Sequence, residues 1–186
     1  MDLTKIQDEN RRRLAVLLNN VPHNENPPDW KKVTTLAVGG LTDIGFSKIT
    51  NQLLIISHSG RSLVNCSNGE KIARDYDEYG DWYDAINLTS QGIGSVASEI
   101  IMIAGLNGGG LPTCNQYREC LELTSLQWPI NDIYFCPNGK SVLIEHLQTN
   151  CCRIFSDHVL CYGFSWDGRF IAIATSSDVT IWRRLE

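Results

Sequence analysis

The chain has 186 residues, 42% hydrophobic and 20% charged, enough for one domain with its own core. A net charge of −5 argues against nucleic acid as the main partner, because a phosphate backbone selects clustered Lys and Arg. It favours a basic protein partner instead.

The opening MDLTKIQDENRRR lacks the apolar region of a secretion signal, and no apolar run approaches the length of a membrane span. The expected location is cytoplasmic, away from membranes. The seven Cys have no regular spacing and include the adjacent pair Cys151 and Cys152, so they are read as reduced thiols.

Residues 3–21 are predicted to form an amphipathic helix. Leu3, Ile6, Leu14, Leu17, Leu18 and Val21 recur at three- and four-residue steps, and Pro22 closes the run. Arg11, Arg12 and Arg13 are assigned to its solvated face. Residues 22–32 read as an irregular connector rich in Pro and Asn. The remainder, 33–186, reads as a β-repeat core, so the whole chain is expected to be a single domain.

Three segments of that core superpose without a gap: FSKITNQLLI from Phe46, FCPNGKSVLI from Phe135 and FSWDGRFIAI from Phe164. Each has an aromatic residue, a turn, then apolar residues, the last three being Leu53–Ile55, Val142–Ile144 and Ile171–Ile173. Such internal repetition marks equivalent supersecondary units. The second and third copies start 29 residues apart, short of the roughly 40–45 of a four-stranded blade, so three-stranded units are expected. Between copies, Ser62–Cys66 and Glu70–Arg74 are predicted partners around Asn68-Gly69. Ile100–Ala104, Cys120–Thr124 and Ile133–Cys136 read as further strands, with loops at Gly105–Pro112 and Trp128-Pro129.

The last copy extends into Tyr162–Arg184, read as three strands with a tight turn at Asp167-Gly168. Gly163, Phe164, Ser165, Asp167, Gly168, Ile171, Ala172 and Trp182 stand where a blade of the WD40 family has its pattern, and the segment resembles such a blade. Arg183 replaces the Asp expected after the Trp, and no upstream Gly-His pair is present. The resemblance implies an all-β, antiparallel, propeller-like meander, here with one N-terminal helix.

The most unusual stretch is Asp75–Asp84, DYDEYGDWYD. Five carboxylates (Asp75, Asp77, Glu78, Asp81, Asp84) alternate with four aromatic rings (Tyr76, Tyr79, Trp82, Tyr83), with no Lys or Arg inside the run. Tyr and Trp are residue types enriched in interface hot spots, and carboxylates around them steer and pair with a basic partner. These nine residues are the candidate partner-binding site. Two plainer readings stand beside it. One is a solvated acidic loop with Tyr76 and Trp82 tucked into the core. The other is a cation site on Asp75, Asp77 and Asp81, although the ordered loop of a calcium site is missing.

Other motifs are weaker. Gly92-Ile93-Gly94-Ser95-Val96-Ala97 matches a dinucleotide fingerprint, but the residues after it favour a strand over the required helix. His58 lies between Ser57 and Ser59 without a nucleophile elbow, so no catalytic residues are assigned. Cys114, Cys120, Cys151, Cys152, Cys161, His146 and His158 lack the paired knuckles of a zinc site. No enzyme, metal or cofactor is therefore expected.

In overall character the chain is similar to bacterial immunity proteins, particularly those of contact-dependent growth inhibition systems. That similarity implies an inhibitor binding one-to-one to a basic toxin, a nuclease for example, by covering its active site. The alternative is a propeller-like scaffold subunit that binds through its Gly-rich and Trp128-Pro129 loops.

Overall fold

The five-stranded sheet at the centre of the fold explains the least alternating part of the sequence. In the computed structural model, which describes residues 3–78 and 80–186, its inner strand runs QLLIIS with every residue from Leu53 to Ser57 buried. Residues of a strand alternate between faces, so a continuous apolar run requires both faces to be covered. Leu53 and Ile55 belong to one core cluster, Leu54 and Ile56 to another.

In chain order the elements are α1 (Leu3–Leu18), β1 (Trp30–Ala37), β2 (Leu41–Phe46), β3 (Gln52–Ser57), β4 (Gly60–Asn65), β5 (Lys71–Asp75), β6 (Tyr83–Asp84), β7 (Thr89–Gln91), β8 (Ile100–Met102) and β9 (Ala104–Gly105). They continue with β10 (Cys120–Gln127), β11 (Ile130–Cys136), β12 (Cys152–Asp157), β13 (Cys161–Phe164), β14 (Phe170–Ala174) and β15 (Asp178–Arg184). All strand pairings between them are antiparallel.

The chain divides into two compact units. The larger comprises Pro28–Gln116 and Val159–Glu186. It holds a sheet ordered β1-β15-β14-β13, the central sheet β5-β4-β3-β2-β9, and a small sheet β6-β7-β8. One cluster joins Ile44, Phe46, Leu53 and Ile55 to Phe170, Ala172, Val179 and Ile181. The other joins Leu54, Ile56 and Leu63 to Trp82, Val96, Ile101 and Ile103. Three sheets therefore stack face to face, and β1, the first strand of the chain, completes the sheet formed by the last three.

The smaller unit comprises Met1–Pro27 and Tyr117–His158. Its sheet is β10-β11-β12, covered on one face by the C-terminal end of α1 through Leu18, with Tyr134, Cys136, Val142 and Cys151. Residues 4–13 of the helix are exposed, so only its last turn shows the stripe the sequence implied along its length. No helix among the described residues is long and apolar enough to cross a membrane.

Several sequence expectations need correction. The helix stops at Leu18, short of Val21. The connector is not wholly irregular: His23 bridges Arg153 in parallel, Pro22 and Arg153 share a 2.8 Å backbone bond, and β1 already starts at Trp30. Ile100–Ala104 breaks into β8 and β9 at Ile103. Copies one and three of the repeat are hairpins, β2–β3 and β13–β14, but copy two is not. After Phe135, only Val142 of its apolar triplet is buried, held by its N–H to the Glu122 carboxylate at 2.9 Å; Leu143 and Ile144 are exposed and lead into a 3-10 turn. The next strand waits until Cys152, which stands opposite Phe135 where a hairpin like the other two copies would have put Val142.

The Asp167-Gly168 turn is also wider than predicted. Gly168 alone has positive φ (70°), and Ser165 and Asp167 side chains cap the backbone N–H groups of Phe170 and Arg169. Finally, Cys114 and Cys120 are disulfide-bonded. Cys66, Cys136, Cys151, Cys152 and Cys161 are free thiols.

Candidate functional site

The acidic-aromatic stretch leaves the central sheet at the end of β5 and enters the small sheet of the same unit as β6. Its first carboxylate is met by a cation that the sequence run does not contain. Arg61 lies opposite Asp75 in the β4–β5 pair. Its Nε and Nη2 donate to Asp75 Oδ2 at 3.0 and 2.6 Å, and Nη1 donates to the Gln91 carbonyl at 2.7 Å. The guanidinium also lies 4.2 Å from the centre of the Trp82 ring. Asp75 Oδ1 accepts the backbone N–H of Asp77 at 3.0 Å. That bond, followed by the Arg61 contacts, holds the Asp75 carboxyl below the usual carboxylate range.

Arg74, the next cation along, stacks 4.8 Å over the Tyr76 ring while donating to Ser62 Oγ at 2.9 Å and to the Ser59 carbonyl at 2.6 Å. The base of the acidic loop thus rests on two arginines fixed by the sheet. Like charges repel, but here the first of them is neutralised at the loop's point of origin.

The structure separates the nine predicted residues into two groups. Trp82 is buried in the core beside Leu54 and Ile101, and its ring meets Tyr83 edge-on at 5.9 Å. The Tyr83 hydroxyl donates to Asp43 Oδ2 at 3.1 Å and accepts from Asn107 Nδ2 at 2.7 Å. Asp84 caps a turn, accepting the N–H groups of Ile86 and Asn87 and the Asn87 side chain, which together lower its pKa. Asp75, Trp82, Tyr83 and Asp84 therefore have partners within the fold. Tyr76, 75% exposed, remains at the surface with Asp77, Glu78 and Asp81. Tyr79 lies outside the described residues.

Sequence reasoning missed Arg61 and Asp43. A two-residue Asn68-Gly69 turn would pair positions summing to 137, setting Arg61 against Tyr76. The loop instead spans Cys66–Gly69, with Asn65 bonded to Glu70, and a bulge at Leu63/Val64 shifts the register once more, to a sum of 136. That single shift brings Arg61 to Asp75. Asp43 carried no signal, being one carboxylate inside an apolar strand. It is fully buried, its Oδ1 has no hydrogen-bond partner, and burial raises its pKa despite the Thr42 and Tyr83 bonds.

The weaker motifs take ordinary structural places. The dinucleotide-like segment is a 3-10 turn at Gly94–Val96 leading into β8 rather than a helix N-terminus. Ser57 Oγ donates to the Gly60 carbonyl at 3.3 Å and accepts from Ser59 N–H, across the two-residue turn that contains His58. Among the described residues no group of three or more His, Cys, Asp or Glu could hold a metal ion. Trp128 and cis-Pro129 form the tip of the β10–β11 hairpin, where Trp128 is 85% exposed. No family model and no curated protein matches the chain.

Proposed function

We propose that this chain is a protein-binding inhibitor of a basic partner, with the character of a bacterial immunity protein that covers the active site of a cognate toxin, and that it is not an enzyme. The observation that carries the reading is the exposed ring of Tyr76, stacked on Arg74 and flanked by exposed Asp77, Glu78 and Asp81. A large ring already held in one orientation loses little freedom on binding. Carboxylates beside it attract and pair with Lys and Arg of a partner. In this reading the stacked sheets, with β1 completing the last of them, act as a propeller-like platform that carries the loop. No cofactor is invoked and binding is one-to-one. A cytoplasmic location completes the proposal, with the Cys114–Cys120 bond then belonging to the transient kind that reducing compartments tolerate.

A scaffold role is the second reading, favoured by Trp128 at its hairpin tip. Affinity capture from the native producer separates the two. Wild-type bait is compared with Asp77→Lys/Asp81→Lys and with Trp128→Ala. A single basic chain captured by wild type and by Trp128→Ala, and lost with the double charge reversal, is the expected result. Loss with Trp128→Ala alone transfers the site to the hairpin, and capture unaffected by either variant refutes both surfaces.

A further inference from the structure

Helix α1 is held to its unit by its C-terminal end. Leu18 packs with Tyr134, Cys136, Val142 and Cys151, while residues 4–13 are exposed. The first turn has no acidic residue and the last no basic one, so no charged side chain offsets the helix dipole in either end turn. A helix of 16 residues is marginal in water by itself and draws its stability mainly from packing an apolar stripe. Beside the C-terminal half of α1 runs an open groove of about 730 Å³. Arg12, Arg13, Val16 and Leu17 form its helix wall, with Leu143 and Ile144 opposite them. Val16 is 74% exposed, Leu143 40% and Ile144 43%, so much of the groove is apolar and uncovered. Both walls belong to the smaller unit.

We propose that the groove receives the N-terminal half of α1 from a second copy of this chain, so that two α1 helices pair antiparallel about a two-fold axis. The exposed face of the helix supplies a self-complementary seam. Ile6, Glu9, Arg13 and Val16 recur at steps of three, four and three residues, which puts them on one stripe. Arg13 and Val16 of that stripe line the groove. In an antiparallel pair centred on Arg11, Ile6 lies opposite the second copy's Val16, and Glu9 lies opposite the second copy's Arg13. The same two contacts recur on the other side of the axis, as an isologous interface requires.

Charge selects this arrangement. A parallel pair sets Glu9 against Glu9 and Arg13 against Arg13, whereas the antiparallel pair brings unlike charges together. Although they stand four apart on one helix, Glu9 and Arg13 form no ion pair with each other, and neither has another among the described residues; Arg11 is the one of the three arginines held, by Asp8 at 3.7 Å. Ile6, 37% exposed in the single chain, enters the second copy's groove beside Val16 and against Leu143 and Ile144. The free half of each helix thereby gains the apolar contact that it lacks alone. From Ile6 to Val16 the seam measures about 15 Å, so the interface is small and the dimer weak. The helix and groove belong to the smaller unit and the acidic loop to the larger, so this association is a separate property from the inhibitor reading.

The test is sedimentation velocity of the full chain at low salt, from about 1 µM to about 500 µM, a range that brackets a weak protein interface. The expected result for wild type is a concentration-dependent rise from one chain mass to two, which shrinks as added salt screens the charges. Glu9→Arg leaves only arginines at the two central positions of the seam and Arg13→Glu only glutamates, so either variant alone should dissociate at least about tenfold more readily. Mixing these two variants restores unlike pairs, and so does the exchange Glu9→Arg/Arg13→Glu within one chain; both should associate as wild type does. Val16→Glu, which sets a charge against the second copy's Ile6, should dissociate like the single reversals. The substituted side chains are exposed, and circular dichroism checks that each variant keeps its fold. A wild type that stays monomeric across the range, a dimer indifferent to both single reversals, or a mixture that fails to associate overturns the proposal.

Discussion

Arg61→Ala tests whether the acidic loop is anchored by the sheet. The side chain is buried, makes three hydrogen bonds of 2.6–3.0 Å, and lies on the Trp82 ring. Removing one member of a buried, hydrogen-bonded pair costs about 3–5 kcal/mol, because the remaining charge is left without a partner. A desolvated cation–π contact contributes about 2 kcal/mol more. Against this, the Asp75 side chain retains 24% exposure, so water reaches it once Arg61 is gone. The low end is therefore appropriate, about 3 kcal/mol in all. For a chain of this length that lowers Tm by about 6–12 °C. Urea unfolding followed by Trp fluorescence gives the free energy, and calorimetry the midpoint. Arg61→Lys should recover less than half of the loss, since an ammonium cannot present three donors in one fork. A loss below about 1 kcal/mol, the value of a solvent-exposed pair, would refute the anchoring role. The acid limb carries a second sign. Asp75 has a lowered folded pKa, so its contribution is present above the unfolded carboxylate range and is lost as pH falls through the folded value. The gap between wild type and Arg61→Ala should narrow in strong acid.

Two further predictions concern the larger unit's interior. Asp43 has a raised folded pKa, so protonation favours the folded state: its contribution is complete below the unfolded carboxylate pKa and is lost as pH rises through the folded value. Asp43→Asn keeps an acceptor for the Tyr83 hydroxyl and removes the buried charge, so it should gain stability over wild type as pH rises from 4 to 8 by roughly the cost of an imperfectly solvated carboxylate, about 1–3 kcal/mol; a variant less stable than wild type throughout that range would show that the charge has a partner in solution. Gly105→Ala places a Cβ 2.0 Å from the Thr42 carbonyl and 2.7 Å from Asp43 Cα, both backbone, so the β2–β9 pairing must open. A loss of about 3 kcal/mol or more is expected in denaturant titration, and a near-neutral result would mean that β9 moves freely.

Much of the fold was legible in the chain because the signals are local. Hairpin residues between apolar runs located β2–β3, β4–β5 and β13–β14–β15, and the apolar positions Leu53–Ile55 of the first repeat copy fell in β3. The acidic-aromatic composition of 75–84 was likewise visible, and so was the exposure of Asp77, Glu78 and Asp81 in a segment that no apolar period claims. What failed depended on register and on distant partners. Leu143 and Ile144 carry a strand pattern, yet Cys152 takes the place opposite Phe135 and the chain turns away.

Charge neutralisation of the loop was decided in the same way. Composition shows five carboxylates without a cation in ten residues, whereas a four-residue loop and one bulge bring Arg61 opposite Asp75 and Arg74 over Tyr76. The packing of Cys120, Cys136 and Cys151 in one cluster depends on which strands lie side by side. Period and turn chemistry act over a few residues and can be read along the chain. Register, burial and the distance between charges are properties of strands brought together by the whole core, and only the tertiary structure sets them.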